Sequence, residues 1–227
     1  SAKRAELRAA AGEIVAVQAQ AVDGLMEKFR LLPNLVARYA IVADGLRADA
    51  ETAGLRQLLK QVSALSGALD VALLDENGSL QVSARGLFGQ AAAANARLQD
   101  IVSQGRLARE VRPFGGRGRA YVFAHGVRDE GGSLLGIVAV MFDLGTLEQV
   151  WSLSTNPVFV ADAGGTVLLS NRPAWRMQPL ATLTTGILPG GQIEVSRALP
   201  QLGWTLHVLA DAAPVAEARA QAAMGVS

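Results

Sequence analysis

Apolar positions at the start of the chain recur every three or four residues. Leu7, Ala11, Ile14, Gln18, Ala21 and Leu25 share one side of a helical projection over residues 3 to about 31, a stretch rich in Ala, Glu, Lys, Arg and Leu and free of proline. This predicts a long helix with a thin, alanine-rich seam, suited to a partner helix or a second copy of itself. Pro33 is expected to interrupt it, with the helix resuming over Asn34–Tyr39. Leu55, Leu58, Leu59, Val62 and Leu65 predict another helix over Ala53–Leu65. The period then changes from about 3.6 to two, the signature of strands. The apolar run Leu134–Phe142 reads as a buried strand, and Asp143 with Thr146 and Glu148 as the start of a short helix over 144–153. Gly203–Leu209 reads as a last strand, and Asp211 to Ala223 as an exit helix.

One pattern occurs twice. Val71-Ala-Leu-Leu-Asp75-Glu-Asn-Gly78-Ser-Leu80-Gln-Val-Ser83 matches Val158-Phe-Val-Ala-Asp162-Ala-Gly-Gly165-Thr-Val167-Leu-Leu-Ser170 at an offset of 87 (75 to 162). Each copy predicts strand, tight turn, strand. An Asp side chain accepts from amides two residues on, and Gly supplies the positive φ of the turn. Asp75 and Asp162 are therefore turn formers, not catalytic carboxylates. The chain is predicted to be α+β: a long N-terminal helix followed by two modules with antiparallel sheets. The expected boundaries are 3–68 for the helical stalk, 69–145 and 146–210 for the modules, and 211–227 for the exit helix. Ser1-Ala2 reads as a tag remnant.

Composition narrows the function. Lys and Arg number 21 against 20 Asp and Glu, a net charge of +1, which lacks the basic surplus of a nucleic-acid binder. Without cysteine there is no disulfide and no thiol catalysis. The two histidines, His125 and His207, have no metal-ligand spacing. Gly115-Gly-Arg-Gly-Arg119 lacks the Gly-Lys-Ser/Thr ending of a phosphate loop, and no nucleophile elbow occurs. The longest apolar run is well short of the roughly 20 residues that cross a bilayer. No enzyme and no cofactor are implied; a sensor or an interaction module fits better.

Residues 157–180, with Asp162-x-x-Gly165-x-Val167-x-Leu169-Ser170-x-Arg172-Pro173-x-Trp175, and the later Gly203-Trp-Thr-Leu-His-Val-Leu209 strand resemble the extracytoplasmic sensor region of the four-carbon-dicarboxylate-sensing histidine kinases. Leu32-Pro33-Asn34-Leu35 is similar too. The resemblance implies tandem Cache (PAS-like) modules, a homodimer through the N-terminal helix, anchoring membrane helices, a periplasmic location and a cytoplasmic kinase. It also places a small-molecule ligand in the first, membrane-distal module, around Arg112–Tyr121. The site residues expected on this basis are Arg117, Arg119, Tyr121, His125 and Met141. The chain departs from the family pattern where Met141 replaces a cation, Ala124 a serine, and Gln90–Leu98 an aromatic segment. Dicarboxylate specificity is therefore not carried over. A monocarboxylate or a more apolar ligand fits better, and the alternative is a ligand-free dimerisation or protein-partner module.

Overall fold

The computed structural model describes residues 2–47, 52–89, 95–116, 118–187 and 192–211. The expected exit helix falls beyond Asp211, outside them. Helix α1 (Ala2–Ala37) runs unbroken for 36 residues, straight through Pro33. The expected interruption is absent because the proline ring is buried on the packed side of the helix, between Phe29 and Val36. That packing offsets the hydrogen bond that proline cannot make. The buried line on α1 is Ala11, Val15, Ala19, Val22, Met26, Phe29 and Val36; it shares Ala11 with the predicted seam and then runs one position beyond it, and Ala21 is exposed. The break comes later, at Arg38–Tyr39, before α2 (Ala40–Arg47). Helix α3 (Thr52–Ser66) follows, close to its predicted span.

The described chain divides into two compact units, Leu25–Gly145 and the segments on either side of it. The first unit holds a five-stranded antiparallel sheet in the order β2-β1-β5-β4-β3. Its strands are β1 (Asp70–Asp75), β2 (Leu80–Ser83), β3 (Ala108–Phe114), β4 (Gly118–Arg128) and β5 (Leu134–Asp143), with α4 (Ala96–Ser103) before β3. One sheet face carries Phe123, Val138, Val140 and Phe142; Phe142 packs on Phe29 of α1 with ring centroids 4.5 Å apart. The other face packs against Phe88 and against Leu98 and Val102 of α4.

The second unit includes α5 (Leu144–Trp151), β6 (Val158–Asp162), β7 (Val167–Ser170), a 3-10 turn at Pro173–Trp175, α6 (Leu180–Ile187), β8 (Gln192–Leu199) and β9 (Trp204–Asp211). Its sheet order is β7-β6-β9-β8. Within this unit the Trp151 indole donates to Gln18 Oε1 at 2.9 Å. Arg172 donates to the Thr155 carbonyl and Arg176 to the Ser170 carbonyl, and Arg176 also forms an ion pair with Glu148. His207 is buried, stacked on Phe159 at 4.7 Å, with Nδ1 2.6 Å from Glu194.

The repeat is structural as well as sequential. Asp75 Oδ1 accepts from the Ser79 amide and Asp162 Oδ1 from the Thr166 amide, while Gly78 and Gly165 turn at φ 81° and 78°. The pairing register slips between Leu73 and Leu74 in one hairpin and between Val160 and Ala161 in the other, again 87 positions apart. The same turn occurs a third time, where Asp129 caps Ser133 between β4 and β5.

Asp70 is the one fully buried carboxylate in the first unit's described core. Its Oδ1 accepts from the Val71 and Arg85 amides at 2.8 and 2.9 Å; Oδ2 accepts from the Ser83 hydroxyl and the Leu87 amide at 2.6 and 2.7 Å. This clamps the segment after β2 onto the sheet and sets Phe88 over it. Replacing the acceptor by an amide opposes donor to donor in a buried site, and hydrogen bonds to a charged group are each worth about 1.5–3 kcal/mol. Asp70→Asn is expected to lower urea-unfolding stability by about 3 kcal/mol, whereas Asp75→Asn, in an exposed turn, is expected to cost about 1 kcal/mol or less.

Candidate functional site

The expected loop Arg112–Tyr121 is mostly strand. Gly115 and Gly116, at φ 51° and 77°, make the turn, and pairing resumes at once with Phe114 opposite Gly118 and Arg112 opposite Ala120. Pro113 is tolerated because β3 is an edge strand. Arg119, Tyr121 and His125 therefore lie on β4 itself, and Arg117 lies outside the described residues. Strand alternation then separates the expected site. Tyr121 pairs with Phe142 and His125 with Val138, on the face that Phe29 covers, while Met141 pairs with Val122 on the opposite face and is fully buried in its core. Tyr121 meets Phe123 edge-on at 5.1 Å, and His125 Nδ1 lies 2.9 Å from the Gly126 carbonyl. Arg119, Tyr121 and His125 share one face; Met141 does not join them.

The face with Met141 has a different character. Ala72, Ala139, Ala124 and Ala108 are direct partners across β1, β5, β4 and β3, so the row carries only methyl groups over these four strands and ends on β2 at Ser83. The next row is Asp70, Met141, Val122 and Glu110, and beyond it come Asp143, Ala120 and Arg112. The result is a low apolar floor bounded at its β3 end by two charged side chains two residues apart.

Glu110 and Arg112 are each only 15% exposed, with Arg112 Nη2 3.2 Å from Glu110 Oε1. The contact is close but not directed as a hydrogen bond, and among the described residues Glu110 Oε1 has no hydrogen-bond partner. The other oxygen, Oε2, accepts from the Asn95 amide group. Asn95 also caps α4, its Oδ1 accepting from the Leu98 amide at 2.8 Å. The Arg112 guanidinium sits over the Phe88 ring at 5.6 Å. Three elements thus converge: β3, the start of α4, and the segment pinned by Asp70. Asp143 is on the same face, its Oδ1 accepting from the Gly145 amide at 2.8 Å.

The arrangement offers a carboxylate with spare acceptor capacity, a guanidinium and an apolar floor. That set suits a small molecule with an ammonium and a carboxylate. Sequence reasoning passed over Glu110, Asn95, Phe88 and Asp143. The alternation Ala108-Arg-Glu110-Val-Arg112 was the available signal, since period two puts both charges on one face once the segment is recognised as strand. Among the described residues no group of three or more His, Asp or Glu could hold a metal ion.

No family model matches the chain. It is 25% identical, over 221 aligned positions covering 82% of its length, to the C4-dicarboxylate transport sensor protein DctB of Pseudomonas aeruginosa. The chain spans about a third of that protein's length, 35%. Among solved structures, the sensor domain of the Vibrio cholerae histidine kinase DctB superposes with a TM-score of 0.72 at 20% identity, covering 93% of this chain and 99% of that one. The ligand-binding domain of the Pseudomonas fluorescens chemoreceptor CtaA, in complex with L-isoleucine, gives 0.69 at 19%, covering 92% and 94%. The fold is that of the Cache sensor domains, and the chain resembles the extracytoplasmic sensor region of DctB. No helix among the described residues is long and apolar enough to cross a membrane.

If Glu110 is held in reserve for a ligand, removing its charge should not unfold the protein. Glu110→Gln is expected to change urea-unfolding stability by less than about 1 kcal/mol. A loss above about 2 kcal/mol would make Glu110 a structural clamp.

Proposed function

We propose that this chain is the periplasmic sensing domain of a membrane-anchored sensor histidine kinase. Its first module takes a small zwitterionic ligand on the α4 face, and the response passes through a homodimer of N-terminal helices. The observation that carries the ligand assignment is the enclosed Glu110–Arg112 pair at the edge of the alanine row. A dicarboxylate there would meet one guanidinium against the carboxylates of Glu110 and Asp143, with Met141 supplying no charge. An amino acid places its carboxylate on Arg112, its ammonium on Glu110 and an apolar side chain along the floor. The CtaA domain was crystallised with a ligand of that chemistry.

The dimer rests on α1. Val17, Ala21, Gly24, Lys28, Leu31 and Leu35 are exposed and spaced in alternating steps of four and three, the heptad rhythm of a paired helix. Val17, Leu31 and Leu35 are 65%, 43% and 56% exposed, apolar surface that pairing along this stripe would cover. The likeness to the two DctB proteins supports a kinase as the output.

A second reading, a ligand-free dimerisation or partner-binding module, is favoured by Met141, which is fully buried where the resemblance puts a ligand-binding cation.

A thermal-shift panel of L-amino acids, with succinate and L-malate alongside, separates the two. A ligand at 100 times its dissociation constant stabilises the fold by about 2.7 kcal/mol. The expected result is stabilisation by one or more apolar L-amino acids, lost in Arg112→Ala and weakened at least tenfold in Glu110→Gln. Stabilisation by succinate alone would overturn the zwitterion assignment, and silence across the panel would favour the second reading.

A further inference from the structure

The helix-covered face of the first unit has a cleft of its own, of about 410 Å³, where the end of α1 and the start of α2 meet β4. It is lined by Arg38, Arg47 and Arg128 with Glu130 as the lining carboxylate, and by Tyr39 and His125. The volume is in the range of small-molecule sites. The cations differ in what they have left to offer. Arg128 is held by the Val102, Ser103 and Gly132 carbonyls at 3.0, 2.7 and 2.8 Å, so its charge is fixed in place. Arg47 is 3.2 Å from Asp44 on its own helix. Among the described residues Arg38 has no side-chain hydrogen-bond or ion-pair partner. A carbonyl only accepts, so the 2.9 Å contact to the Gly126 carbonyl puts the proton of neutral His125 on Nδ1 and leaves Nε2 for whatever occupies the cleft.

We infer that this cleft is a second ligand site, separate from the Glu110–Arg112 face, which binds a small hydroxylated carboxylate or another oxyanion carrying a hydroxyl. Arg38 takes the charged oxygens, in the two-point manner a guanidinium allows, within the field of Arg47 and Arg128. His125 Nε2 accepts from the hydroxyl. Such an anion ties the end of α1, through Arg38, to β4, through His125, across the helix break at Arg38–Tyr39. The inference is independent of the proposed function, because neither Glu110 nor Arg112 lines the cleft.

The chain has two histidines, so imidazole NMR gives two resolvable reporters, with His207 in the other unit as the internal control. L-malate and inorganic phosphate, which retains a hydroxyl near neutral pH, are titrated at fixed pH against the intact chain, with sodium chloride matched for ionic strength. The expected result is a saturable movement of the His125 resonance, with a dissociation constant in the low-millimolar range or tighter and His207 unmoved. Arg38→Gln, an exposed substitution, is expected to weaken binding at least fivefold with the His207 signal still in place. Arg112→Ala is expected to leave it unchanged. A His125 shift that is linear for both anions and reproduced by chloride overturns the site, as does a saturable shift that Arg38→Gln leaves intact.

Discussion

The buried carboxylate of Asp70 organises the first module. It has no counter-ion within its own cluster of bonds; it is satisfied by three amides and a hydroxyl, two of the amides from the segment after β2. A buried charge without such donors costs several kcal/mol, so the segment has one place to go. Its fixed path puts Phe88 on the sheet, Phe88 supports the Arg112 guanidinium, and Arg112 lies against Glu110, which Asn95 ties to the first turn of α4. One unpaired strand end is thereby converted into the wall of a site. The second unit solves the same problem with other residues: Ser170, the counterpart of Ser83, accepts from the Arg172 amide, and Glu148 accepts from the Ser170 amide.

Much of this architecture was legible in the sequence. Asp75-x-x-Gly78 and Asp162-x-x-Gly165 are local turn chemistry, and local chemistry survives transfer from chain to fold. The switch from helical to strand period near residue 69 and the buried strand Leu134–Phe142 are likewise local. The site was less legible because it depends on register. Tyr121, His125 and Met141 look like neighbours when the chain is read as a loop followed by a strand. Once β4 and β5 pair with Tyr121 opposite Phe142 and Val122 opposite Met141, the residues fall on opposite faces. Asp70 could not be recognised beforehand, since three of its four donors lie 13 to 17 positions away. Pro33 misled for a related reason: the rule that proline ends a helix is local, and burial of the ring is not.

The two faces of the first sheet fit complementary tasks in the proposed sensor. The α4 face is enclosed and carries the ion pair, so occupancy there is read by β3 and by the start of α4. The opposite face is bound to α1, the helix with the exposed heptad stripe. A ligand shifts such a system only by the difference in its affinity for two arrangements. The sheet is the shared element, because β4 and β5 present alternate residues to each side.

Hydrogen–deuterium exchange on the intact chain, with and without a millimolar mixture of apolar L-amino acids, tests the central claim most directly. The account predicts slower exchange in β3, over Ala108–Phe114, and in the first turn of α4, with β6 to β9 unchanged. Unaltered exchange at β3 and α4, or protection confined to β8 and β9, would contradict it.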